Sequence, residues 1–368
     1  MKPNDELIGL GVLVFTVLLC AFITAITPYI TRKSEAFGVS IPENKWEDHR
    51  LRAFRKAYLW GMLVAGVVGG AVVLLMYRFS GDMLATPLVA IFVVLGFSFV
   101  WYFRYHKQVK AIKAGEDWGS QTTSKVHVAL GEEGNLPSAW WMLPAWLITA
   151  ATIVFVLVSY PQLPQRIPMN YSFDGTVTRY AEKSLLTVMV LPFTQVFMTI
   201  IFSFSMYIIK RSRTVIDPEN EQESLRQTLA FKRGWCWFTI AGGSLMVAMM
   251  GIIQLSMLGT IPLGGLVFAT LVMPLALVAG AIWLSVRLGQ GGSRWGTRPR
   301  SSSISIRDDD KYWKFGMFYY NPDDPALFVE KRFGVGWTSN FARPMTYVFL
   351  GILLVFIVGS IVMAGKAA

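Results

Sequence analysis

The chain has 368 residues, of which 54% are hydrophobic and only 15% are charged. Soluble domains carry about 25% charged residues, so this composition argues against a soluble protein and indicates an integral membrane protein. The formal net charge of +11 is then explained by membrane topology and by attraction to anionic lipids, and we expect no nucleic-acid partner.

Seven uncharged stretches each reach the roughly 20 apolar residues that cross a lipid bilayer. The stretch at residues 234–286 is long enough for two crossings and breaks at residues 259–262, where glycine and proline indicate a turn. The sequence therefore predicts an all-α polytopic membrane protein with eight transmembrane helices in a single membrane domain. The predicted spans are residues 7–30, 58–77, 84–103, 139–160, 185–209, 235–258, 261–286 and 345–364.

Lysine and arginine are unevenly divided among the nine segments outside these spans. Alternate segments on one side hold 28 of these residues, and the segments on the other side hold 6. Basic residues are retained on the cytoplasmic side of a membrane. We therefore predict a multi-pass protein of the bacterial cytoplasmic (inner) membrane, with the N-terminus and the C-terminus both extracytoplasmic.

The first predicted cytoplasmic loop ends in a segment with proline and acidic residues first and basic residues last, an order that suits the helix dipole. We predict an amphipathic helix that starts near Pro42 and continues into the second span. It is either a docking helix for a partner or a membrane-surface helix, and the second interpretation is favoured. Within the span, Gly61, Ala65 and Gly69 recur every four residues. This spacing favours close helix packing and is equally suited to a homodimer.

The longest predicted outer segment, residues 161–184, has the period of a half-buried strand. Its apolar residues alternate with polar ones at Ile167, Met169, Tyr171 and Phe173. Asp174-Gly175 then indicates a tight turn, so we predict a small outer β-hairpin at about residues 167–180. The hairpin either recognises a ligand from outside or caps two helices, and the sequence leaves both interpretations open.

This outer segment resembles a module found in many bacterial membrane proteins, including the immunity proteins against the Sdp-type killing peptide. That module has the pattern L-P…I-P-x-H-[FWY]…G…K, carried here by residues 163–164, 167–171, 175 and 183. Asn170 stands where histidine is usual, so an imidazole-dependent role is not expected. The resemblance implies peptide-toxin immunity or signal sensing. The predicted ligand-binding residues are Pro168, Asn170, Tyr171, Phe173, Asp174, Gly175 and Arg179.

Two further cytoplasmic segments follow. Asp217-Pro218 is a good helix start and predicts a short surface helix before the sixth span. Residues 289–343 are predicted as a linker followed by an aromatic module, with Gly289 to Ser293 as flexible linker. We interpret the run at residues 308–310, three aspartates, as a solvated charge run rather than a divalent-ion site, because no ligand spacing follows it.

The aromatic module begins at Lys311, and its aromatic run followed by Asn-Pro-Asp-Asp-Pro predicts a strand and a turn. We expect a small cytoplasmic β patch at about residues 311–337 that is too small to fold without the membrane domain. It resembles a second module, of unknown function, that accompanies the first in some relatives. Its matching residues are Trp313, Phe315, Gly316, Tyr319, Asn321, Pro322, Asp324 and Pro325.

Signs of catalysis are missing from the sequence. The predicted spans carry no acidic, basic or histidine residue in their cores, and H-E-x-x-H, G-x-S-x-G and Walker A motifs are absent. We therefore expect no catalytic site, no metal and no cofactor. Gln195 and Gln254 are the best polar candidates within the spans, and each is expected to form an interhelical hydrogen bond.

These observations favour a non-enzymatic membrane protein that recognises an extracytoplasmic ligand such as an antimicrobial peptide. The aromatic module would pass occupancy to a cytoplasmic regulator or brace the helices. The alternative is a channel or facilitator for a small neutral or amphipathic solute, which fits the uncharged spans. A continuous polar path between the helices would favour the channel, and a sealed bundle would count against it. A membrane enzyme ranks third.

Overall fold

The computed structural model describes residues 3–80, 85–118, 127–128, 136–171, 177–215, 221–258, 268–296 and 309–366. The chain divides into two compact units, each formed by three separate segments. The first unit comprises Met1–Gly131, Ser212–Phe231 and Ser285–Arg343, and the second comprises Glu132–Arg211, Lys232–Leu284 and Pro344–Ala368.

The N-terminal part of the first unit is a three-helix assembly with a short hairpin between its first two helices. Its elements are α1 (Pro3–Ile30), β1 (Glu35–Ala36), β2 (Val39–Ser40), α2 (His49–Ser80), α3 (Ala85–Gly115) and β3 (His127–Val128). Small residues let these helices approach closely: a Cβ on Gly66 would lie 2.6 Å from the Cβ of Ala21, and one on Gly69 would lie 2.9 Å from Val17. The predicted helix-packing role of the small-residue stripe in α2 is therefore confirmed within one chain.

The later elements alternate between the two units. In chain order they are α4 (Leu143–Ser159), β4 (Arg166–Tyr171), β5 (Val177–Glu182), α5 (Leu185–Arg211), β6 (Thr214–Val215), α6 (Glu221–Met257), α7 (Met273–Leu288), β7 (Trp313–Lys314), β8 (Phe318–Tyr319), β9 (Phe328–Glu330), β10 (Trp337–Ser339) and α8 (Pro344–Lys366). All described strands form antiparallel two-stranded pairs: β1 with β2, β3 with β6, β4 with β5, β7 with β8, and β9 with β10.

Seven of the described helices, α1 to α7, are long and apolar enough to cross a membrane. Many large apolar side chains on them are exposed, among them Leu75, Phe92 and Leu147. Such faces need a nonpolar surrounding, so the helices indicate a multi-pass protein in a lipid bilayer. The eighth predicted span falls on α8, in which the residues Pro344–Gly359 form an apolar helix, and the count of eight stays a prediction.

Two helix predictions need correction. The helix expected from Pro42 begins at His49, because Glu43–Lys45 forms a separate 3-10 turn, although it does continue into the second span. The surface helix expected after Asp217-Pro218 is not separate: α6 runs unbroken from Glu221 to Met257. Residues 216–220 and the predicted break at residues 259–262 lie outside the described residues.

Candidate functional sites in the hairpin and the aromatic module

The hairpin of β4 and β5 is held to the second unit by an apolar cluster. Ile167 is 1% exposed and packs with Leu163 among residues of three helices, including Val156 of α4, Val188 of α5 and Met257 of α6. The hairpin prediction at about residues 167–180 is confirmed, with strands at Arg166–Tyr171 and Val177–Glu182. Alternation buries one face of β4 against the helix ends and leaves the other face available.

The residues at the two ends of the hairpin segment have structural roles. Lys183 donates hydrogen bonds to the carbonyl oxygens of Leu163 (2.9 Å) and Pro161 (3.3 Å) and lies 5.0 Å from the ring centre of Tyr160. The Ser184 hydroxyl accepts a hydrogen bond from the backbone of Thr187 at 3.0 Å and so caps α5. The lysine and serine of the pattern therefore fix the entry and exit of the hairpin to its helices.

The predicted ligand residues that are described lie on the two paired strands. Asn170 is opposite Arg179, and Pro168 is opposite Tyr180, which is 54% exposed. The register shifts on both sides of Asn170, and such irregularities re-aim side chains. The structure does not describe the side chains of Asn170 and Tyr171 or any part of residues 172–176, which include Phe173, Asp174 and Gly175.

The β structure predicted at about residues 311–337 is confirmed, as two short hairpins, β7–β8 and β9–β10. Trp313, Tyr319, Asn321 and Asp324 of the predicted set are buried. Gly316 is also buried, in a turn at a φ of 71°. The other predicted residues are exposed: Phe315 is 55% exposed, and Pro322 and Pro325 are exposed as well. Most of the polar side chains in the pattern are thus used inside the protein.

A buried arginine closes the Asn-Pro-Asp-Asp-Pro turn. The guanidinium of Arg213 pairs with the Asp324 carboxylate and donates to the Tyr319 hydroxyl at 3.1 Å. The same hydroxyl donates to Asp324 at 2.8 Å and accepts from the Asn321 amide at 3.1 Å. The Asn340 amide donates to the Asn321 carbonyl at 2.9 Å. Arg213 and Asn340 were not among the predicted residues, because both lie outside the sequence pattern of the turn.

Two Phe-Gly turns meet over α3 in the first unit. Phe37-Gly38 closes the β1–β2 hairpin and Phe315-Gly316 closes the β7–β8 hairpin, and all four residues have positive φ. Tyr102 donates a hydrogen bond to the Phe315 carbonyl oxygen at 3.0 Å. The repeated Phe-Gly dipeptide was the available sequence signal for this contact.

One turn later in α3, a His106 ring nitrogen lies 2.8 Å from the Phe37 carbonyl oxygen. Phe333 of the aromatic module inserts beside this point, with its ring centre 4.6 Å from that of Tyr102. These contacts attach the aromatic module to α3, and its inability to fold alone stays a prediction.

The interpretation of residues 308–310 as a solvated charge run is wrong for the two described members. Asp309 and Asp310 both pair with the guanidinium of Arg332, which is 3% exposed. Asp310 also pairs with Lys113 of α3 at 2.7 Å and accepts from the Ser40 hydroxyl at 2.8 Å. Their charges are compensated by cationic partners that lie 22 to 197 residues away along the chain, which no local pattern reveals. Among the described residues, no group of three or more metal-ligating side chains is arranged to hold a metal ion.

The flexible linker predicted at Gly289 to Ser293 is instead a buried turn. Gln290 is 0% exposed, donates to the Gly336 carbonyl at 2.9 Å and accepts from the Gly336 amide at 2.7 Å. Gly291 and Gly292 have positive φ and no room for a side chain, which is why this segment is rich in glycine. Residues 297–308 lie outside the described part of the chain.

A largely buried ion pair between Arg32 and Glu330 lies beside this turn. Arg32 and Glu330 lie 2.5 Å apart, and their side chains are 13% and 6% exposed. Burial lowers the pKa of Arg32, but the Glu330 charge, with Glu35 and Glu43, outweighs it and holds the pKa above its ordinary value. The arginine therefore stays charged at physiological pH.

The second unit contains a buried polar cluster between three helices. Gln195 of α5 is 0% exposed and donates to the Val247 carbonyl of α6 at 2.9 Å and to the Thr152 hydroxyl of α4 at 3.3 Å. Gln254 donates to the Val188 carbonyl at 3.2 Å. The predicted interhelical hydrogen bonds of both glutamines are confirmed. In the described residues this cluster is enclosed by packed helices.

Replacing Gln195 by leucine should lower the stability of the second unit by about 1 kcal/mol, because interhelical hydrogen bonds in membranes contribute about 0.6 and at most about 1.7 kcal/mol. Thermal unfolding of the purified protein in detergent measures this loss. Ser205→Ala is the control, since that hydroxyl donates within α5, to the Ile201 carbonyl. Equal unfolding temperatures for the two variants would contradict a bracing role for Gln195.

Two family models match parts of the chain. One, described as a domain of unknown function (DUF1648), matches residues 147–196, which cover most of α4, the hairpin and the start of α5. The other, described as a family of unknown function (DUF5808), matches residues 322–347, from the Asn-Pro turn to the start of α8. No curated protein and no solved structure matches the chain.

Proposed function

We propose that the protein is a non-enzymatic receptor of the bacterial cytoplasmic membrane that recognises an extracytoplasmic ligand with its β4–β5 hairpin. In this proposal the chain crosses the membrane eight times, with both termini outside and the aromatic module on the cytoplasmic side. The ligand is an antimicrobial peptide or a peptide signal. The proposal combines the charge asymmetry of the loops with the resemblance of the hairpin segment to peptide-toxin immunity proteins.

The observation that supports this proposal best is that the residues anchoring the hairpin differ from those predicted to bind the ligand. Ile167 and Leu163 are buried against the helices, and Lys183 fixes the base of the hairpin to backbone carbonyls. Asn170 and Arg179 lie opposite each other on the two strands, at the point where the strand register is irregular. A binding site needs a rigid scaffold, and the anchored base of this hairpin supplies one.

The enclosed polar cluster around Gln195 favours a receptor over a solute channel. Its glutamines and threonines are 8% exposed or less and bind one another or backbone carbonyls. A conducting path needs polar groups that face water. The channel alternative predicts release of a neutral solute such as glycerol from liposomes that contain the purified protein.

Arg179→Ala should lower the peptide concentration that cells tolerate by about tenfold, since a hydrogen bond to a charged group contributes about 1.5–3 kcal/mol. Cells without the gene are challenged with a panel of membrane-active peptides and complemented with wild-type, Arg179→Ala or Asn170→Ala protein. Tolerance is compared at equal protein levels, measured by immunoblot.

Arg166→Ala is the matched control. This arginine is exposed in the same hairpin but lies opposite Glu182 at its base, and it should keep full protection. If both tip variants protect as well as the wild type against every peptide that the deletion strain is sensitive to, the hairpin does not recognise the ligand. Glycerol release without any peptide phenotype would favour the channel.

A further inference from the structure

A basic cleft lies in the first unit, between the C-terminal end of α1, the start of α2 and the turn that follows α7. Its volume is about 240 Å³. The cationic side chains that line it are Lys33, Arg52, Arg55 and Arg294, and the acidic one is Glu47. Glu47 is paired with Arg52 at 3.2 Å. The lining of the cleft therefore carries more cationic than acidic side chains.

Arg55 is the central cation of this cleft. It is 4% exposed, and its guanidinium carbon lies 4.0 Å from the ring centre of Trp46. Stacking on an aromatic ring orients the fork of donors. One terminal nitrogen, Nη1, is buried and has no hydrogen-bond partner among the described residues. A buried unpaired donor is costly, so the hydrogen-bonding capacity of Arg55 is not filled by the described residues.

The side of the cleft formed by Arg294 is fixed by the ends of two helices. Its guanidinium donates a hydrogen bond to the carbonyl oxygen of Tyr29, at the end of α1. It donates a second hydrogen bond, of 3.0 Å, to the carbonyl oxygen of Val286 in the last turn of α7. Tyr29 and Trp46 supply aromatic walls. Aromatic and basic residues at the ends of apolar helices are typical of the membrane–water interface, where lipid phosphates lie.

We propose that this cleft binds the phosphate group of an anionic phospholipid, with Arg55 as its principal ligand and Lys33 as an exposed second cation. A phosphate offers several acceptor oxygens to a forked guanidinium. The charge asymmetry of the loops puts this end of α1 and α2 on the cytoplasmic side, whose leaflet is rich in anionic lipid. The proposal is independent of the hairpin and of any peptide ligand.

The test uses the full-length protein, purified in detergent and depleted of lipid, with phosphatidylglycerol, phosphatidylcholine or inorganic phosphate added separately. Binding is followed by native mass spectrometry and by the rise in unfolding temperature, which a ligand specific for the folded state produces. Phosphatidylglycerol should bind the wild type at least tenfold more tightly than phosphatidylcholine. Arg55→Met, which keeps an apolar contact with Trp46, should lower the affinity for phosphatidylglycerol at least tenfold.

Lys33→Gln should lower the affinity for phosphatidylglycerol about fivefold, as expected for the loss of one cation near an anionic surface. Because Lys33 is exposed, this variant tests the site even if Arg55→Met folds poorly. Lys56→Gln is the matched control, with the same charge change next to Arg55 on an exposed position outside the cleft, and it should bind like the wild type.

Three outcomes would overturn the proposal. The first is equal binding of phosphatidylglycerol and phosphatidylcholine by the wild type. The second is an equal loss of binding in Lys56→Gln and Lys33→Gln, which would reveal a diffuse charge effect. The third is stabilisation by inorganic phosphate without lipid preference, which would assign the cleft to a soluble anion.

Discussion

Gly38→Ala should destabilise the first unit by roughly 3 kcal/mol or more. An L-residue in the left-handed region costs about 1–2 kcal/mol, and Gly38 has a φ of 77°. A Cβ at this position would lie 2.5 Å from the carbonyl oxygen of Gly316 and would also strike the Tyr102 hydroxyl. The backbone of the second Phe-Gly turn must therefore move, which typically adds about 1–3 kcal/mol.

The measurement is the thermal unfolding of the purified protein in detergent, together with limited proteolysis of the aromatic module. We expect a lower unfolding temperature and faster cleavage within residues 311–343, because the β7–β8 hairpin loses its contact with β1–β2. Gly96→Ala is the control, since Gly96 lies in α3 with no atom within 4 Å of an added Cβ. A Gly38 variant as stable as the Gly96 variant would show that the two turns do not depend on each other.

Arg332→Leu should cost about 3–5 kcal/mol, the range for breaking a buried ion pair by removing one partner. Arg332 neutralises Asp309 and Asp310 together and donates to the Gly38 carbonyl at 3.2 Å. Without it, Asp310 keeps its pair with Lys113, whereas Asp309 keeps only the longer pair with Arg213, at 3.9 Å. We expect low expression and a lower unfolding temperature, measured by fluorescence-detected size exclusion with heating.

A double-mutant cycle separates the ion pair from general damage. Asp309→Asn combined with Arg332→Leu should cost less than the sum of the two single changes, because the paired groups disappear together. Lys45→Ala serves as the comparison: its pair with Glu116 is 3.9 Å long and about 40% exposed, and exposed pairs contribute only about 0–1 kcal/mol. Strict additivity would refute direct coupling between Arg332 and Asp309.

The predictions that two segments are exposed to solvent were wrong for the same physical reason. Glycine-rich and aspartate-rich segments have the same local composition whether they are solvated or buried. At Gly289 to Gly292, burial depends on Gln290 bonding to Gly336, 46 residues away. At Asp309 and Asp310 it depends on Arg332 and Lys113. Only a folded chain brings such partners together, so composition alone favoured the wrong interpretation.

The sequence by itself determined the membrane class, the positions of the apolar helices, the hairpin between α4 and α5 and the bonding of Gln195 and Gln254. These follow from local rules, since a bilayer requires about 20 consecutive apolar residues and a strand requires alternation. Only the tertiary structure decided how charge is used: the pairing of Arg213 with Asp324, the network around Arg332 and the basic cleft around Arg55. Those sites join residues that are distant in the chain, and the free energy of burying a charge depends on the partner that folding supplies.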